Sequence, residues 1–240
     1  MAGKHLKRLA APRAVQIHRK EFKWTYKVTA GPHPVQRSIP LALVVRDYLK
    51  LCDTAREATR ILQGKAVFVD GRVVTRPKFA VGLMDVVSIP GVKLHFRVLL
   101  DRNGRLALHA IDESAAGWKL CRIEDKSTQK GGRTQLNLHD GRNLLVKEDA
   151  YKTGAVLKLK VPEQKVLSKI EMKEGSVVFL TGGSHVGELA TFVKLEEKKS
   201  PKPNLVHLQA GDAGFATIKP YVFPVGEGKA EISIPEEIIV

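Results

Sequence analysis

Arginines four residues apart on a short helix, with more cations on the turn that follows it, are the side chains of this sequence best spaced to do chemistry. That chemistry is phosphate binding. In Thr54-Ala55-Arg56-Glu57-Ala58-Thr59-Arg60-Ile61-Leu62 a T-x-x-E capping box lets the threonine oxygen and the glutamate carboxylate satisfy free N–H groups of the first helical turn. Ala55, Ala58, Ile61 and Leu62 form the apolar side of that helix, and Arg56 and Arg60 share the other. Two short β runs, 66–69 and 73–74, then bracket Asp70-Gly71, a favoured two-residue hairpin turn. Upstream, Leu41, Val44, Val45, Tyr48, Leu49 and Cys52 keep a helical period from Pro40 and leave Arg46, Asp47, Lys50 and Asp53 in water. Burial of the apolar faces sets the direction in which Arg46, Lys50, Arg56, Arg60, Lys65, Arg72, Arg76 and Lys78 point. Two short helices and a hairpin are therefore expected to hold these cations on adjoining surfaces.

Other constellations offer less. Gly182-Gly183-Ser184-His185-Val186-Gly187 lacks the Lys-Ser/Thr pair of a nucleotide-binding loop, and no helical pattern follows it. It reads as a tight strand connection, with glycines where φ is positive or where backbone comes close. His139-Asp140 is the one pairing that resembles a catalytic dyad, but neighbours in a strand point to opposite faces, and His139-Asp140-Gly141-Arg142 reads as a strand ending in a turn. No Ser/His/Asp set, carboxylate pair or dinucleotide fingerprint stands elsewhere, so neither catalytic residues nor a cofactor nor a small-molecule substrate is expected. Cys52 and Cys121 are the only cysteines, far apart and without histidines at zinc-ligand spacing, which argues against a disulfide framework and against a metal site.

The charge balance names the partner. Forty Lys and Arg against 25 Asp and Glu leave a formal net charge of +15, which suits a polyanion. Folded RNA fits better than a DNA site, since no helix presents the Asn, Gln and Arg pattern of a major-groove reader. The 240 residues exceed a typical domain of roughly 100–150, so two or three modules are expected. No apolar run reaches the ~18 residues of a membrane span, and the basic amino terminus leads into no signal-peptide core. A soluble, cytoplasmic protein is the expectation.

Residues 1–37 carry Lys4, Lys7, Arg8, Arg13, Arg19, Lys20, Lys23, Lys27 and Arg37 against Glu21 alone, with Pro12, Pro32 and Pro34 breaking any long helix. An irregular basic extension is expected, whose self-repulsion argues against order before a partner binds. Within it Phe22, Trp24 and Tyr26 alternate with Lys23, Thr25 and Lys27, which in an extended strand puts the rings on one side. The rings either pack on a neighbouring domain or stack on bases. Beyond residue 92 short β-rich runs (93–100, 105–111, 144–147, 156–161, 176–181, 189–194 and 221–225) alternate with turn residues, as in small β-barrels, and 196–203 reads as a solvated loop.

Several long blocks carry a resemblance. Gly3-Lys4-His5-Leu6-Lys7-Arg8-Leu9-Ala10-Ala11-Pro12, Ser38-Ile39-Pro40-Leu41, Val45-Arg46-Asp47-Tyr48-Leu49, Thr54-Ala55-Arg56-Glu57-Ala58, Val69-Asp70-Gly71-Arg72-Val73 and Gly82-Leu83-Met84-Asp85-Val86-Val87-Ser88-Ile89-Pro90 resemble the small-subunit ribosomal protein family S4e of archaea and eukaryotes. Gln135-Leu136-Asn137-Leu138-His139-Asp140-Gly141-Arg142-Asn143 is similar to its central-domain signature. Thr181-Gly182-Gly183-Ser184-His185-Val186-Gly187, Phe215-Ala216-Thr217 and Tyr221-Val222-Phe223 are similar to its carboxy-terminal module. The resemblance spans essentially the whole chain.

It implies an α+β multidomain fold. A basic extension, 1–37, would precede a helical-pair-plus-hairpin RNA-binding domain of S4 type, 38–90. A central β domain, 91–170, and an SH3-like barrel carrying a KOW motif, 171–240, would follow. It also implies a structural role without catalysis, binding small-subunit ribosomal RNA beside neighbouring small-subunit ribosomal proteins. To the RNA-contacting cations it adds His5, Arg142, Gly182, Gly183, His185 and Gly187. The chain departs from the family at two points: the glycine after the second helix falls one residue early, leaving Lys65 in its usual place, and Ala190 replaces a KOW-loop glycine, where a positive φ would be strained. A closing stretch 235–240 without a basic tail points to an archaeal source. Two rivals of other classes are an RNA-modifying enzyme that uses an S4-type domain as its grip, against which no catalytic block follows residue 90, and a KOW-bearing transcription factor, against which the resemblance runs the full length.

Overall fold

Antiparallel β structure dominates, with few helices. The computed structural model describes residues 5–147, 150–211 and 213–233; Lys4 and the stretch 235–240 lie outside them. Three five-stranded sheets and two strand pairs make up the described chain.

The first sheet grows from the expected hairpin. Phe68–Val69 pairs with Arg72–Val73, and the turn residues Asp70 and Gly71 have φ of 50° and 72°, the doubly positive geometry of a type I′ turn. Val86–Ile89, Leu94–Leu100 and Leu106–Ala110 extend this sheet in that order, so it continues across residue 90 into the next stretch of sequence. Ser38–Pro40 pairs separately with Ala80–Gly82.

Beneath the sheet lie the two helical segments. Ala55–Gln63 has its expected capping box: Glu57 N–H donates to Thr54 Oγ1 at 3.2 Å and Thr54 N–H to the Glu57 carboxylate at 3.2 Å. Ala58 and Leu62 are buried. The helix signalled from Pro40 is corrected. It consists of one α turn, Leu41–Leu43, widening into a π turn, Val44–Tyr48, and it ends where Lys50 takes φ 52°. Ala42 and Leu43 are buried as fully as Leu41, Val44 and Val45. Residues 41–45 are thus wrapped by core on every side, and the helical winding stops short of Cys52. After Ala55–Gln63 the early glycine has a visible consequence: Gly64 has φ −68°, and the left-handed slot falls on Lys65, at φ 58°.

The second sheet centres on the 11-residue strand Trp118–Thr128, flanked by Thr134–Leu138 and then Asn143–Val146 on one side, and by Val156–Lys160 and then Lys165–Ile170 on the other. In the third, Ala213–Ile218, Leu205–Ala210, Leu189–Glu196 and Ser176–Leu180 follow in order, and Val222–Glu227 returns beside Ser176–Leu180. Ala190 lies within a strand, buried and outside the positive-φ region, so the strain expected there does not arise.

Residues 5–37 are corrected from a free extension to a packed layer. Leu6–Lys7 pairs with Trp24–Thr25. Ala11, Ala14, Val15 and Val28 are buried, Leu106 N–H donates to Ala14 O at 2.9 Å, and Gln16 N–H donates to the Tyr48 hydroxyl at 2.8 Å. Apolar burial outweighs the self-repulsion of cations that can point outward. The three rings part company: Tyr26 packs on the first core, whereas Phe22 and Trp24 stay 63% and 50% exposed.

Candidate nucleic-acid interface

Burial decides which cations are free to meet a phosphate. Arg56, Arg60, Lys65, Arg72, Arg76 and Lys78 are all exposed. Arg56 and Arg60 stand on the helix side away from buried Ala58 and Leu62. The Arg72 guanidinium reaches Pro162 O at 3.3 Å, leaving most of its donors open. Backbone N–H groups of Thr54 and Asp53 hold the Glu57 carboxyl below its usual range, which keeps the capping box charged beside the helix N-terminus, where a negative charge is favoured. Arg46 differs. It is half-buried and forked onto Asp47 at 2.6 and 3.0 Å, a hydrogen bond that raises its pKa, so most of its charge is answered within the chain. Together with Lys50 and Arg105 it lines a cleft of about 770 Å³.

In the amino-terminal layer His5, Lys7, Arg13, Lys20, Lys23 and Arg37 are exposed and Lys27 is half-buried. Lys23 lies 5.5 Å from the Trp24 ring centroid and His5 5.6 Å from it. Two arginines expected at the interface serve inside instead. Arg8 is 3% exposed, donating to His18 O and Glu21 while lying 5.4 Å from the Phe22 ring. Arg19 donates to the carbonyls of Leu9, Ala11 and Pro12. Both tie down carbonyls of the amino-terminal layer.

The glycine loop also turns inward. A Cβ at Gly187, φ 83°, would lie 2.7 Å from the Asp101 carbonyl carbon, and one at Gly182 would lie 2.8 Å from the Tyr221 ring. These glycines allow close packing within the chain. Gly183, φ 90°, is exposed. His185 stacks on Phe215 at 4.2 Å and meets Glu188 at 3.0 Å.

Arg142 belongs to a set of buried charges that sequence reading missed. Lys119 is wholly buried, with its ammonium 2.9 Å from Asp70, 2.5 Å from Asp85 and 2.8 Å from Asp140. Arg142 joins Asp70 at 2.5 Å and Asp140 at 3.1 Å, and His33 Nε2 sits 3.0 Å from both Asp85 oxygens. Burial opposes the Lys119 charge, but the Asp70 and Asp85 carboxylates hold its pKa well above the ordinary value. Burial likewise works against Asp85 and Asp140. His33 and Lys119 nonetheless keep Asp85 well below the usual range, and Lys119 with His139 brings Asp140 to about 2. Asp70 goes the other way, because burial outweighs Lys119. These groups come from the amino-terminal layer, the hairpin turn, the turn before Val86–Ile89, the strand Trp118–Thr128 and the turn after Thr134–Leu138, so the cluster pins five parts of the chain together.

His139 and Asp140 engage different partners, as a strand ending in a turn implies. His139 accepts from Arg122 N–H at Nδ1 and lies 3.2 Å from Leu83 O through Nε2, while burial holds it down to about 3. Cys121, His139 and Asp140 have ligand atoms within 4.8 Å of one another. His139 is engaged with Arg122, the Cys121 thiol donates to Asp140 at 3.4 Å, and the Lys119 ammonium lies 2.8 Å from the same carboxylate.

Three stretches of the chain match known families. Residues 2–36 match the RS4NT (NUC023) domain, 40–87 the S4 domain, and 92–166 the family described as Ribosomal family S4e. Relatives named small ribosomal subunit protein eS4 include one from Methanothermobacter thermautotrophicus, 50% identical over 234 residues, covering 97% of this chain and 96% of the relative. Another, from Methanocaldococcus jannaschii, is 44% identical over 240 residues, covering 96% and 97%. The crystal structure of the 30S ribosomal protein S4e from Thermoplasma acidophilum superposes with a TM-score of 0.70 at 40% identity, covering 80% of this chain and 96% of that one.

Proposed function

This chain belongs to ribosomal family S4e, and from that premise we propose that it is a structural constituent of the small ribosomal subunit, binding ribosomal RNA through basic surfaces in support of assembly and translation. One observation carries the molecular part of this reading: Arg56 and Arg60 project from a capped helix whose opposite face is buried, and Lys65, Arg72, Arg76 and Lys78 stand exposed on the hairpin and the stretches that flank it. Cations of one sign carried on a fixed helix and hairpin neutralise phosphates, and they read RNA shape more than sequence. The mechanism is charge neutralisation and fitting, and no bond is made or broken by the protein. Its partners are small-subunit ribosomal RNA and adjacent small-subunit proteins in the cytoplasm. The unit 38–90, with the strands that extend its sheet, acts as the S4-type RNA grip. The 171–240 unit acts as an SH3-like KOW module, a reading supported by the return of Val222–Glu227 beside Ser176–Leu180.

The test is reversal of Arg56, Arg60 and Arg72 to Glu in the full chain. The expected result is loss of incorporation into small subunits and, in the unmodified chain, a fall in affinity of roughly 10³ to 10⁵ between 50 and 200 mM salt if ~6–10 phosphates are neutralised. Unchanged incorporation of the reversed variant would overturn the reading.

A further inference from the structure

A second cleft, of about 860 Å³, opens where the amino-terminal layer, the 101–104 turn, the strand Trp118–Thr128 and the 181–186 loop meet. Its volume falls in the roughly 300–1,000 Å³ range of sites that hold small ligands. Arg13, Arg37 and Arg102 line it from three separate stretches of chain; all are exposed, and none has a side-chain hydrogen bond or ion pair among the described residues. Its one carboxylate, Glu124, is answered by Arg122 at 2.6 Å. The accessible apolar lining comes from the half-buried Leu83, Leu100 and Val186, and the half-buried His139 ring also lines the cleft, edge-on to the buried Phe223 at 5.4 Å.

The walls are fixed. Arg122 donates to Pro220 O and Val222 O at 2.9 Å each. Gly187 and Gly141 let the 181–187 loop close on Asp101, and the 139–142 turn close on Pro32, at distances that a Cβ would forbid or crowd. A standing cleft that combines open guanidinium groups with an apolar, aromatic lining matches a ligand made of a phosphate and a flat base. A duplex is too wide to enter it.

We infer that this cleft takes a single unpaired nucleotide of the bound RNA, its base on Leu83, Leu100 and the His139 ring and its flanking phosphates on Arg13, Arg37 and Arg102. The inference rests on the RNA-binding reading above and adds a specific contact to it. Unstacked nucleotides are what proteins grip most specifically in folded RNA, and holding one would lock the amino-terminal layer and the carboxy-terminal module to the same point of the RNA.

The experiment is photocrosslinking of the full chain to small-subunit ribosomal RNA transcribed with 4-thiouridine, followed by identification of the RNA-linked peptides. Alongside it, RNA affinity is measured for a variant carrying Gln36→Trp and Ser184→Trp, two exposed lining positions whose replacement fills the space without changing charge. Crosslinks at Leu83, Leu100 or His139 that vanish in the filled variant, with affinity roughly five- to 150-fold weaker, the worth of one stacked base, are the expected result. Salt-sensitive RNA binding with crosslinks only outside the cleft, or a folded filled variant that binds like the parent, would overturn the cleft and leave the RNA-binding reading standing. So would crosslinks in purified subunits showing a neighbouring protein segment in the cleft. Failure to bind RNA even in dilute salt would overturn the wider reading instead. If the filled variant does not fold, the crosslink map of the unmodified chain decides alone.

Discussion

Replacing Lys119 by Met should cost about 4 kcal/mol at pH 7, and the deficit should shrink as the solution is acidified. The side chain is wholly buried and its ammonium faces Asp70, Asp85 and Asp140. Without it, three carboxylates share Arg142 and His33, and removing one partner of a buried ion pair costs roughly 3–5 kcal/mol. The cost has a ceiling, because a stranded carboxylate can take up a proton. Holding a group of unfolded pKa ~3.9 protonated at pH 7 costs about 1.4 kcal/mol per pH unit, or about 4 kcal/mol. Asp70 is the acid to take it, since burial already pushes its pKa up beside the intact lysine.

The sign follows from linkage. In the variant the folded state binds the extra proton, which raises its stability relative to the parent's as pH falls towards ~3.9. In the parent, Asp85 and Asp140 are held below their unfolded values, so the stability they contribute is present above ~3.9 and is lost as pH falls further. The two curves should therefore converge, leaving about 1.5 kcal/mol between them at pH 5. At roughly 2–4 °C per kcal/mol for a chain of this length, thermal melts by circular dichroism should differ by about 8–16 °C at pH 7 and by a few degrees at pH 5. Adding Asp70→Asn should restore most of the loss at pH 7. A difference under about 1 kcal/mol at pH 7, or one that does not change with pH, would refute the idea that this ammonium neutralises the cluster.

Three further perturbations follow from single sites. His139 is held neutral, near 3, by burial, so the unfolded chain gains its proton first and native stability falls by up to ~1.4 kcal/mol per pH unit below ~6.5; His139→Gln should flatten stability between pH 6 and 4, and equal slopes in parent and variant would count against this. Thr54→Ala removes the oxygen that accepts from Glu57 N–H and should cost about 1 kcal/mol, read as a melt lowered by ~2–4 °C. Lys65→Gly relieves the φ of 58°, and because the left-handed conformation costs a side-chain-bearing residue ~1–2 kcal/mol while glycine gives back ~0.5–1 in chain entropy, the melt should rise by a few degrees as RNA affinity falls through the lost cation; a lower melt would show that the turn tolerates lysine without strain.

How much of this was legible in the chain depends on whether a signal is local. The capping box at Thr54 and Glu57, the Asp70-Gly71 turn, the cations that flank them and the run of short strands after residue 92 are set by neighbours in sequence, through hydrogen bonds and dihedral preferences that need no distant partner. So was the polyanion partner, which net charge alone implies. Tertiary structure decided what lies inside. The strand Trp118–Thr128 went unread because Lys119 and Arg122, both buried, sit where an apolar residue would mark a buried strand, and partners such as Asp85, Asp70 and Pro220 lie 34, 49 and 98 residues away. Arg8, Arg19 and Arg142 counted as surface charge until those distant partners were in view, and Arg13, Arg37 and Arg102 became one site only through folding. A charge carries no mark in sequence of whether water or a carboxylate will answer it; that is fixed only when the chain closes and the desolvated groups must find each other.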